Sequence, residues 1–429
     1  MIPILKFEDK QALKERLLSR SQLTDEEITR RVKEIVQGVR ARGDEALFEY
    51  TQRFDKARLD AASVRVTADE IRKAYDAADQ AWVDTMREAA KRITAFHEKQ
   101  RQRTWLDFDG GIALGQMVRP LERVGVYVPG GTAAYPSSVL MNVLPARVAG
   151  VGEIIMVTPP NADGNVSYPL TLVAADIAGV DAIFKVGGAQ AIAALAFGTK
   201  SVPRVDKIVG PGNIYVANAK REVFGHCGID MVAGPSEVLV IADDSANPAY
   251  VAADMLSQAE HDPLAAAIVV TDSADMASRV ACEIERQAAA LPRQEIVDQS
   301  LARFGTIVAC QSLHEAAEIA NLVAPEHLEL SVAQPFELLG EIRNAGAVFL
   351  GHYAPEPLGD YYAGPNHVLP TSGTARFFSP LNVEDFTKKS SLVYYNRESL
   401  AAVADDVIRL ARAEGLDAHA NAVAVRFGK

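Results

Sequence analysis

The sequence predicts an α/β protein with two doubly wound layers of parallel sheet. Three observations support this fold class: short β-branched runs recur from about residue 120, their starts lie about 25 to 30 residues apart, and Ala-rich segments with helical spacing separate most of them. Strands that alternate with helices form βαβ units and parallel sheets. Nearly continuous apolar strands indicate helices on both faces. The predicted strands are 124–128, 154–157, 183–186, 207–209, 238–241, 268–271 and 306–308.

Composition restricts the class of protein further. The chain has 429 residues, 48% of them hydrophobic, and a net charge of −12. These globular values exclude a disordered chain, and an acidic surface disfavours nucleic acid and anionic membranes as partners. Three cysteines are too few for a disulfide framework, no apolar run reaches about 18 residues, and no secretory leader is recognisable. We expect a soluble, cytoplasmic, multi-domain enzyme.

Two T-x-x-E capping boxes predict helix starts in the first hundred residues: Thr24 with Glu27, and Thr67 with Glu70. Apolar residues at 28, 32, 35, 36 and 39 follow the first box at one-face helical spacing. The second box predicts one long, polar-faced helix that runs to about residue 102. At the other end of the chain, residues 398–427 are predicted to be helical.

Single residues carry further local predictions. Gly43 is expected to end the first helix and Asp44 to cap the next. His97 lies in the polar-faced helix and is expected to face solvent. Cys282 and Cys310 show no setting typical of a nucleophile and are expected in the core.

Glycine-rich turns follow three predicted strands, with the strings VPGG at 128–131, VGGAQ at 186–190 and VGPGN at 209–213. Glycine lets a backbone approach a ligand closely, and ligands of open α/β sheets bind outside the carboxyl ends of strands. The turns therefore indicate a nucleotide or sugar-phosphate crevice. The G-x-G-x-x-G pattern is absent, and tight βα turns without a ligand explain the same residues equally well.

Polar residues from separate segments suggest a metal centre. Gln258 and His261 are spaced to share one helix face, Asp360 lies in an aromatic-rich loop at 351–380 with His352 and His367, and His419 follows Glu414. Zinc accepts such nitrogen and oxygen ligands, although no H-E-x-x-H signature is present. Satisfied polar groups at domain seams remain the alternative.

An adjacent acid and base, Glu326 and His327, form a candidate general acid/base pair. A Glu-His dipeptide also occurs by chance, so the pair alone is not decisive.

Taken together, these segments resemble the histidinol dehydrogenase family over residues 25–427. The resemblance is carried by RVGVYVPGG at 123–131, FKVGGAQAIAALAFGT at 184–199, AGPSEVL at 233–239, SQAEH at 257–261, PEH at 325–327, GPNHVLPTSGTAR at 364–376 and EGLDAH at 414–419. It implies two Rossmann-like doubly wound parallel-sheet domains, aldehyde-dehydrogenase-like, with helical N- and C-terminal extensions. The implied parts are a helical arm at 1–24, a larger catalytic domain at 25–127 plus 237–380, an inserted NAD domain at 128–236 and a dimerisation tail at 381–429.

The resemblance also implies a reaction: oxidation of L-histidinol to L-histidine through L-histidinal, with NAD, one Zn²⁺ per active site and a homodimer whose chains share active sites. The implied zinc ligands are Gln258, His261, Asp360 and His419. The implied acid/base pair is Glu326 and His327, and the NAD contacts are Tyr127, Gln190 and Asn213. The implied substrate contacts are Ser236, Gln258, His261, His327, Asp360, His367, Glu414 and His419.

Two other hypotheses remain at this stage. The first is a sister NAD-dependent zinc dehydrogenase that acts on another small polar alcohol, such as a dihydroxypropane sulfonate. Glu414 and His367 favour histidinol over it, because they could recognise an imidazole ring. The second is a zinc-bearing binding module without catalysis, against which the Glu326–His327 pair argues.

Overall fold

Two parallel β-sheets form the framework of the protein. The computed structural model describes residues 2–8, 15–17, 26–130 and 135–428. The described residues divide into two compact units, one formed by 2–100 with 121–386 and the other by 101–120 with 387–428. Both parallel sheets belong to the first unit.

The larger sheet has six strands, all parallel. In spatial order they are Ile4–Lys6, Thr306–Ala309, Ala266–Thr271, Glu237–Ala242, His327–Ser331 and Ala347–Leu350. The central strand Glu237–Ala242 is buried throughout, because helices pack on both faces. His327 pairs in register with Val238 and Ala347, so the acid/base pair lies at the amino end of this sheet.

The smaller sheet has five parallel strands. In spatial order they are Ala182–Lys185, Glu153–Thr158, Arg123–Tyr127, Lys207–Val209 and Gly228–Ile229. The strand Arg123–Tyr127, which the predicted domain division places with the catalytic domain, lies at the centre of this sheet. The glycine-rich turns leave its carboxyl edge.

Helices surround both sheets. The α-helices of the first unit are Glu26–Arg42, Asp44–Asp55, Ala68–Ala77, Gln80–Glu98, Pro136–Ala149, Pro169–Ala178, Gly188–Phe197, Ile214–Val223, Pro248–Ala259, Ala274–Ala288, Gln294–Phe304, Leu313–Val323, Pro335–Leu339 and Glu356–Leu358. A π-helical turn spans Gly359–Ala363, and 3₁₀ turns span Thr374–Arg376 and Val383–Phe386. None of the described helices is long and apolar enough to cross a membrane.

The second unit is a three-stranded antiparallel sheet followed by helices. The long strand Thr387–Tyr395 pairs with Ile112–Pro120, which also pairs with Trp105–Asp109. The helices Arg397–Ala413 and Asp417–Ala424 and the 3₁₀ turn Val425–Phe427 complete the unit. The helical tail is thus confirmed, whereas the antiparallel sheet was not predicted.

All seven predicted strands are present within two residues of their predicted ends. The box of Thr67 and Glu70 is also confirmed: Thr67 Oγ1 accepts from the Glu70 amide, and Glu70 accepts from the Thr67 amide at 2.8 Å. The predicted long helix after it is two helices, because Asp79 caps a second helix at Gln80. Thr24, and with it the first box, lies outside the described residues, as does most of the predicted N-terminal arm.

Three single-residue predictions are wrong. Asp44 is the first helical residue rather than the cap, and its carboxylate accepts from Ser201 instead. His97 is completely buried, and its ring can be buried because it forms hydrogen bonds with the Ile93 carbonyl and with Asn366 of a distant loop. Cys282 is exposed on its helix, while Cys310 is half-buried.

Candidate active site

A cavity of about 1310 Å³ lies where the carboxyl edge of the five-stranded sheet faces the amino end of the six-stranded sheet. The first sheet contributes its glycine-containing turns, and the second contributes Ser236, Glu326 and His327. The loop after Ala347–Leu350 adds Asp360 and His367. The fold therefore brings together residues from segments more than 200 positions apart.

His327 is held in one tautomer by the backbone. Its Nδ1 atom lies 3.2 Å from the carbonyl oxygen of Glu237, which can only accept, so Nδ1 carries the proton. The Nε2 atom is buried without a hydrogen-bond partner among the described residues and lies 3.4 Å from Asp360 Oδ1. The unprotonated nitrogen of a neutral His327 is thus the one beside Asp360, where it can take up a proton.

Buried carboxylates surround the His327 ring. Burial disfavours the charged ring, but the carboxylates of Glu326, Glu356 and Asp360 outweigh this effect and raise the pKa of His327 to about 10. The distances from Nδ1 are 3.8 Å to Glu326 Oε2 and 4.0 Å to Glu356 Oε1. Without a cation on these carboxylates, the ring carries a positive charge at neutral pH.

Glu326 is buried against the same backbone segment. Its Oε2 accepts from the amide of Glu237 at 2.9 Å, so one residue of the central strand fixes both members of the pair. Burial raises the pKa of Glu326 to about 8, although His327 and the Glu237 amide oppose the shift. This carboxyl is therefore placed to exchange protons near neutral pH.

A hydrogen bond joins Asp360 and His367 within the loop. His367 Nδ1 donates to the Asp360 carbonyl at 3.0 Å, and its Nε2 lies 3.3 Å from Ser138 Oγ. Burial disfavours the Asp360 anion, but the His327 and His367 rings outweigh it and lower the pKa of that carboxyl. Asp360 is accordingly an anion in the cavity. His352, in contrast, is held between Ser331 and Ser245 and does not line the cavity.

Gln258 has a buried amide without partners. It lies in the last turn of Pro248–Ala259 with no exposed surface, and neither Oε1 nor Nε2 has a hydrogen-bond partner among the described residues. His261 follows the C-cap Glu260 of that helix, and its amide donates to the Gln258 carbonyl at 3.2 Å in the closing turn, so a shared helix face stays a prediction. An unpaired buried amide is costly, and a bound cation would satisfy its oxygen.

The donors fit a zinc ion chemically. Desolvation lowers the pKa of His261 and keeps its ring neutral, as a metal ligand requires, and the ring interacts electrostatically with Asp360. A neutral imidazole, a carboxylate and an amide oxygen are donors that zinc accepts. A second arrangement also exists, because His327, Glu356 and Asp360 offer ligand atoms within 4.8 Å of one another. Asp360 is common to both sets.

The residues predicted to contact NAD line the opposite part of the cavity and already have structural partners. The Tyr127 hydroxyl accepts from the Gly188 amide at 3.2 Å, and burial raises the pKa of this phenol to about 12. Gln190 Nε2 donates to Asp55 at 3.3 Å. Asn213 caps the helix Ile214–Val223 through its side-chain oxygen.

The turns in this part of the cavity fit a pyrophosphate. The helices Gly188–Phe197 and Ile214–Val223 begin at the cavity wall, and helix N-termini favour phosphate groups. Gly188 and Gly210 have φ angles of 62° and 112°, which side chains rarely adopt. A Cβ on Gly210 would lie 2.1 Å from the Tyr127 carbonyl oxygen, so the turn requires glycine.

Glu414 and His419 belong to the second unit. Both are exposed and line a groove of about 630 Å³ between Arg397–Ala413 and Asp417–Ala424. Leu410 and Leu416 supply apolar walls of the same groove. Within this unit the two residues therefore line the same groove, near the loop that joins the two helices.

Sequence reasoning missed three acidic residues of the cavity region: Asp55, Glu237 and Glu356. Glu356 lies one helical turn before Asp360, and that spacing was the one available signal. Asp55 and Glu237 lie in segments without a motif, and only the tertiary structure brings them to the site.

These features define a class of protein: an α/β enzyme in which glycine-containing βα turns and a buried acid–base pair share one cavity. A family model described as Histidinol dehydrogenase matches residues 18–427. Histidinol dehydrogenase of Caldanaerobacter subterraneus subsp. tengcongensis is 60% identical over 412 residues, which are 96% of this chain and 95% of that protein. That of Geobacter sulfurreducens is 56% identical over 413 residues, 96% of each chain.

A solved structure agrees with these relatives. The crystal structure of histidinol dehydrogenase from Elizabethkingia anophelis superposes with a TM-score of 0.93 at 37% identity, covering 99% of this chain and 97% of that one. The chain belongs to the histidinol dehydrogenase family, and it is an oxidoreductase.

Proposed function

We propose that this protein catalyses the NAD- and zinc-dependent oxidation of L-histidinol to L-histidine, through L-histidinal, as the last step of histidine biosynthesis. The observation that carries the proposal is the His327 ring, whose Nε2 is buried and lies 3.4 Å from the Asp360 carboxylate at the cavity wall. A fixed base beside an anion suits removal of a hydroxyl proton from an alcohol that a cation holds. Family membership supplies the identity of the alcohol.

The zinc ligands would be Gln258, His261 and Asp360, with His419 as a fourth. Zinc, when bound, would act as a Lewis acid that holds the imidazole and amino nitrogens of the substrate and orients its carbinol carbon. An Asp360 carboxylate bound to a cation would stabilise a charged His327 less, so the pKa of that ring would fall. His327 can then act as a base.

The first oxidation needs a hydride acceptor and a proton acceptor. His327 takes the hydroxyl proton at Nε2, because Nδ1 is committed to the Glu237 carbonyl. When NAD is bound, the carbinol carbon would give its hydride to it, so the alcohol would become an aldehyde and one NADH would form. Tyr127, Gln190 and Asn213 lie on the side of the cavity where the dinucleotide would bind.

The second oxidation starts from the aldehyde and adds water. Glu326 would accept a proton from that water as its oxygen attacks the carbonyl carbon, and His327, protonated in the first step, would return its proton to the former carbonyl oxygen, giving a hydrate. With a second NAD bound, the hydrate would lose a hydride to it and a hydroxyl proton to His327, and the resulting carboxylic acid would ionise to the carboxylate. Holding the aldehyde between the steps keeps a reactive compound out of solution.

Substrate recognition would be completed by Ser236, His367 and the second unit. Glu414 would accept from the imidazole N–H of histidinol, and with His419 it would come from the partner chain of a homodimer. A cytoplasmic location and the inserted NAD domain at 128–236 belong to the same proposal.

Stoichiometry tests the proposal. We expect two NADH per histidinol consumed, loss of turnover with a zinc chelator, and recovery when zinc is restored. One NADH per substrate would contradict the four-electron reaction. Turnover of another polar alcohol without turnover of histidinol would favour the sister dehydrogenase.

A further inference from the structure

The dinucleotide part of the cavity contains a carboxylate that no zinc or acid–base role uses. Asp55 is the last residue of the helix Asp44–Asp55 and lines the same cavity as Tyr127, Gln190 and Asn213. Its Oδ2 accepts from Gln190 Nε2 at 3.3 Å. Among the described residues, no lysine, arginine or histidine lies within ion-pair distance of it.

The hydrogen bond from Gln190 alone does not explain why residue 55 is an aspartate. Burial raises the pKa of Asp55 to about 6, so the side chain is still mainly an anion at pH 7, but its charge is held at a cost. An asparagine could accept the same hydrogen bond from Gln190 without that cost. The second oxygen, Oδ1, has no hydrogen-bond partner in the described structure and remains available to a ligand.

The position of Asp55 in the cavity indicates which part of the dinucleotide it would contact. The nicotinamide must reach the carbon held beside His327 and Asp360, so we expect the adenosine half toward the helices Glu26–Arg42 and Asp44–Asp55, which line the same cavity. Gln190 lies in the first turn of Gly188–Phe197, whose N-terminus suits the pyrophosphate. Through its bond with Gln190, Asp55 lies beside this helix start, where we expect the adenosine ribose to follow the phosphates.

We propose that Asp55 is the residue that selects NAD over NADP, by accepting hydrogen bonds from the adenosine ribose hydroxyls. A carboxylate binds a ribose diol well and repels a 2′-phosphate, because both groups are anionic. Three arginines line the same end of the cavity, and one of them, Arg53, stacks over the Phe54 ring without an ion pair among the described residues. Arg30 forms an ion pair with Glu34 at 2.8 Å, and Arg31 pairs with Glu27. The inference rests on the proposed NAD-dependent function.

The decisive variant is Asp55→Asn, which keeps the shape of the side chain and its bond to Gln190. Asp76→Asn removes the same charge from an exposed helix position outside the cavity and serves as the matched control. NADH binding to the full-length protein is titrated by fluorescence without histidinol. Turnover is measured with NAD, with NADP and with an NAD analogue lacking the adenosine 2′-hydroxyl.

We expect Asp55→Asn to weaken NADH binding about tenfold or more, the loss typical of a hydrogen bond to a charged group. The ratio of kcat/KM for NAD to that for NADP should fall at least about tenfold, whereas kcat at saturating NAD stays within about twofold. The unaltered protein should use the 2′-deoxy analogue with a lower kcat/KM than NAD, and Asp55→Asn should use the two with equal kcat/KM. Asp76→Asn should match the unaltered protein throughout.

An unchanged NAD-to-NADP ratio in Asp55→Asn, with NADH binding intact, overturns the inference. So does failure of the unaltered protein to distinguish the 2′-deoxy analogue. Thermal unfolding of each variant shows whether a loss of binding reflects a loss of folding. Selective NADH binding without histidinol turnover would contradict the proposed function and leave the role of Asp55 standing.

Discussion

His327 Nδ1 lies 3.2 Å from the carbonyl oxygen of Glu237, and this contact decides which ring nitrogen can accept a proton. Because Nδ1 donates, Nε2 is the basic atom, and it lies beside Asp360. Glu237 also donates its amide to Glu326. The backbone of one buried strand residue therefore orients both members of the acid–base pair, which makes their separate roles testable.

Replacing His327 by Asn should remove the base without removing the metal. We expect the rate of histidinol oxidation to fall about 100- to 10,000-fold, the range for loss of a general base. Zinc content by atomic absorption should stay near one per chain, whereas His261→Asn should lose zinc. A His327→Asn protein that loses zinc as fully as His261→Asn would instead support the ligand set of His327, Glu356 and Asp360.

Glu326→Gln should separate the two half-reactions. The amide keeps the size of the side chain and can still accept from the Glu237 amide, but it cannot take a proton from water. We expect oxidation of histidinal to fall about 100-fold or more, while oxidation of histidinol falls much less. The two rates are measured by NADH formation from each substrate. Equal losses in both would remove the assigned role of Glu326.

The strands show best how much of the fold the sequence can predict. The seven predicted strands are apolar runs between turn residues, and local composition is enough to find them. The strand His327–Ser331 was not predicted, because it contains buried His, Glu and Ser side chains whose burial depends on partners from other segments. The antiparallel pairing of Thr387–Tyr395 with Ile112–Pro120 joins segments about 270 residues apart, which no local pattern reports.

The site shows the same division between local and tertiary information. Motif strings led to Glu326, His327 and Asp360, which do lie together in the cavity. The buried position of His97 could not be predicted, because its Nε2 partner Asn366 lies 269 residues away. Asp55 was missed for the same reason, since its contact is with Gln190.

Burial of His97 predicts a stability that falls in mild acid. Its Nδ1 donates to the Ile93 carbonyl at 2.8 Å, and burial lowers the pKa of the ring. Below about pH 6.5, the ordinary pKa of histidine, the unfolded chain binds a proton that the folded chain resists, so the free energy of unfolding decreases. The midpoint of thermal unfolding of His97→Gln should therefore change less between about pH 7 and pH 5 than that of the unaltered protein.

His314 provides the opposite case for comparison. It is exposed, and its contact with Glu341 raises the pKa of its ring, so its contribution is present below about pH 6.5 and is lost as the pH rises. His314→Gln should leave the acid-side loss of stability in place. If His97→Gln shows the same pH dependence as the unaltered protein, the ring of His97 is not held neutral by burial.

Gly210→Ala should damage the dinucleotide turn more than backbone strain alone explains. The added Cβ would lie 2.1 Å from the Tyr127 carbonyl oxygen, and both φ strain and displacement of the turn would follow. Gly225→Ala is the matched control, because Gly225 also has a positive φ, 98°, but nothing lies within 4 Å of its Cβ. We expect about 1 kcal/mol of destabilisation for the control, and a larger loss together with weakened NADH binding for Gly210→Ala. Equal effects would mean that the close approach to Tyr127 is unimportant.

The proposed sharing of active sites between two chains can be tested by mixing inactive variants. Glu326→Gln stops histidine formation at a site through the first unit, and His419→Asn stops it through the second unit, so activity is measured as histidine formed. If His419 serves the partner's site, a mixed dimer contains one site with both defects and one with neither. Co-expression with two affinity tags would isolate the mixed dimer, which should have about half the activity of the unaltered enzyme per dimer. A mixed dimer as inactive as its parents would show that each chain completes its own site.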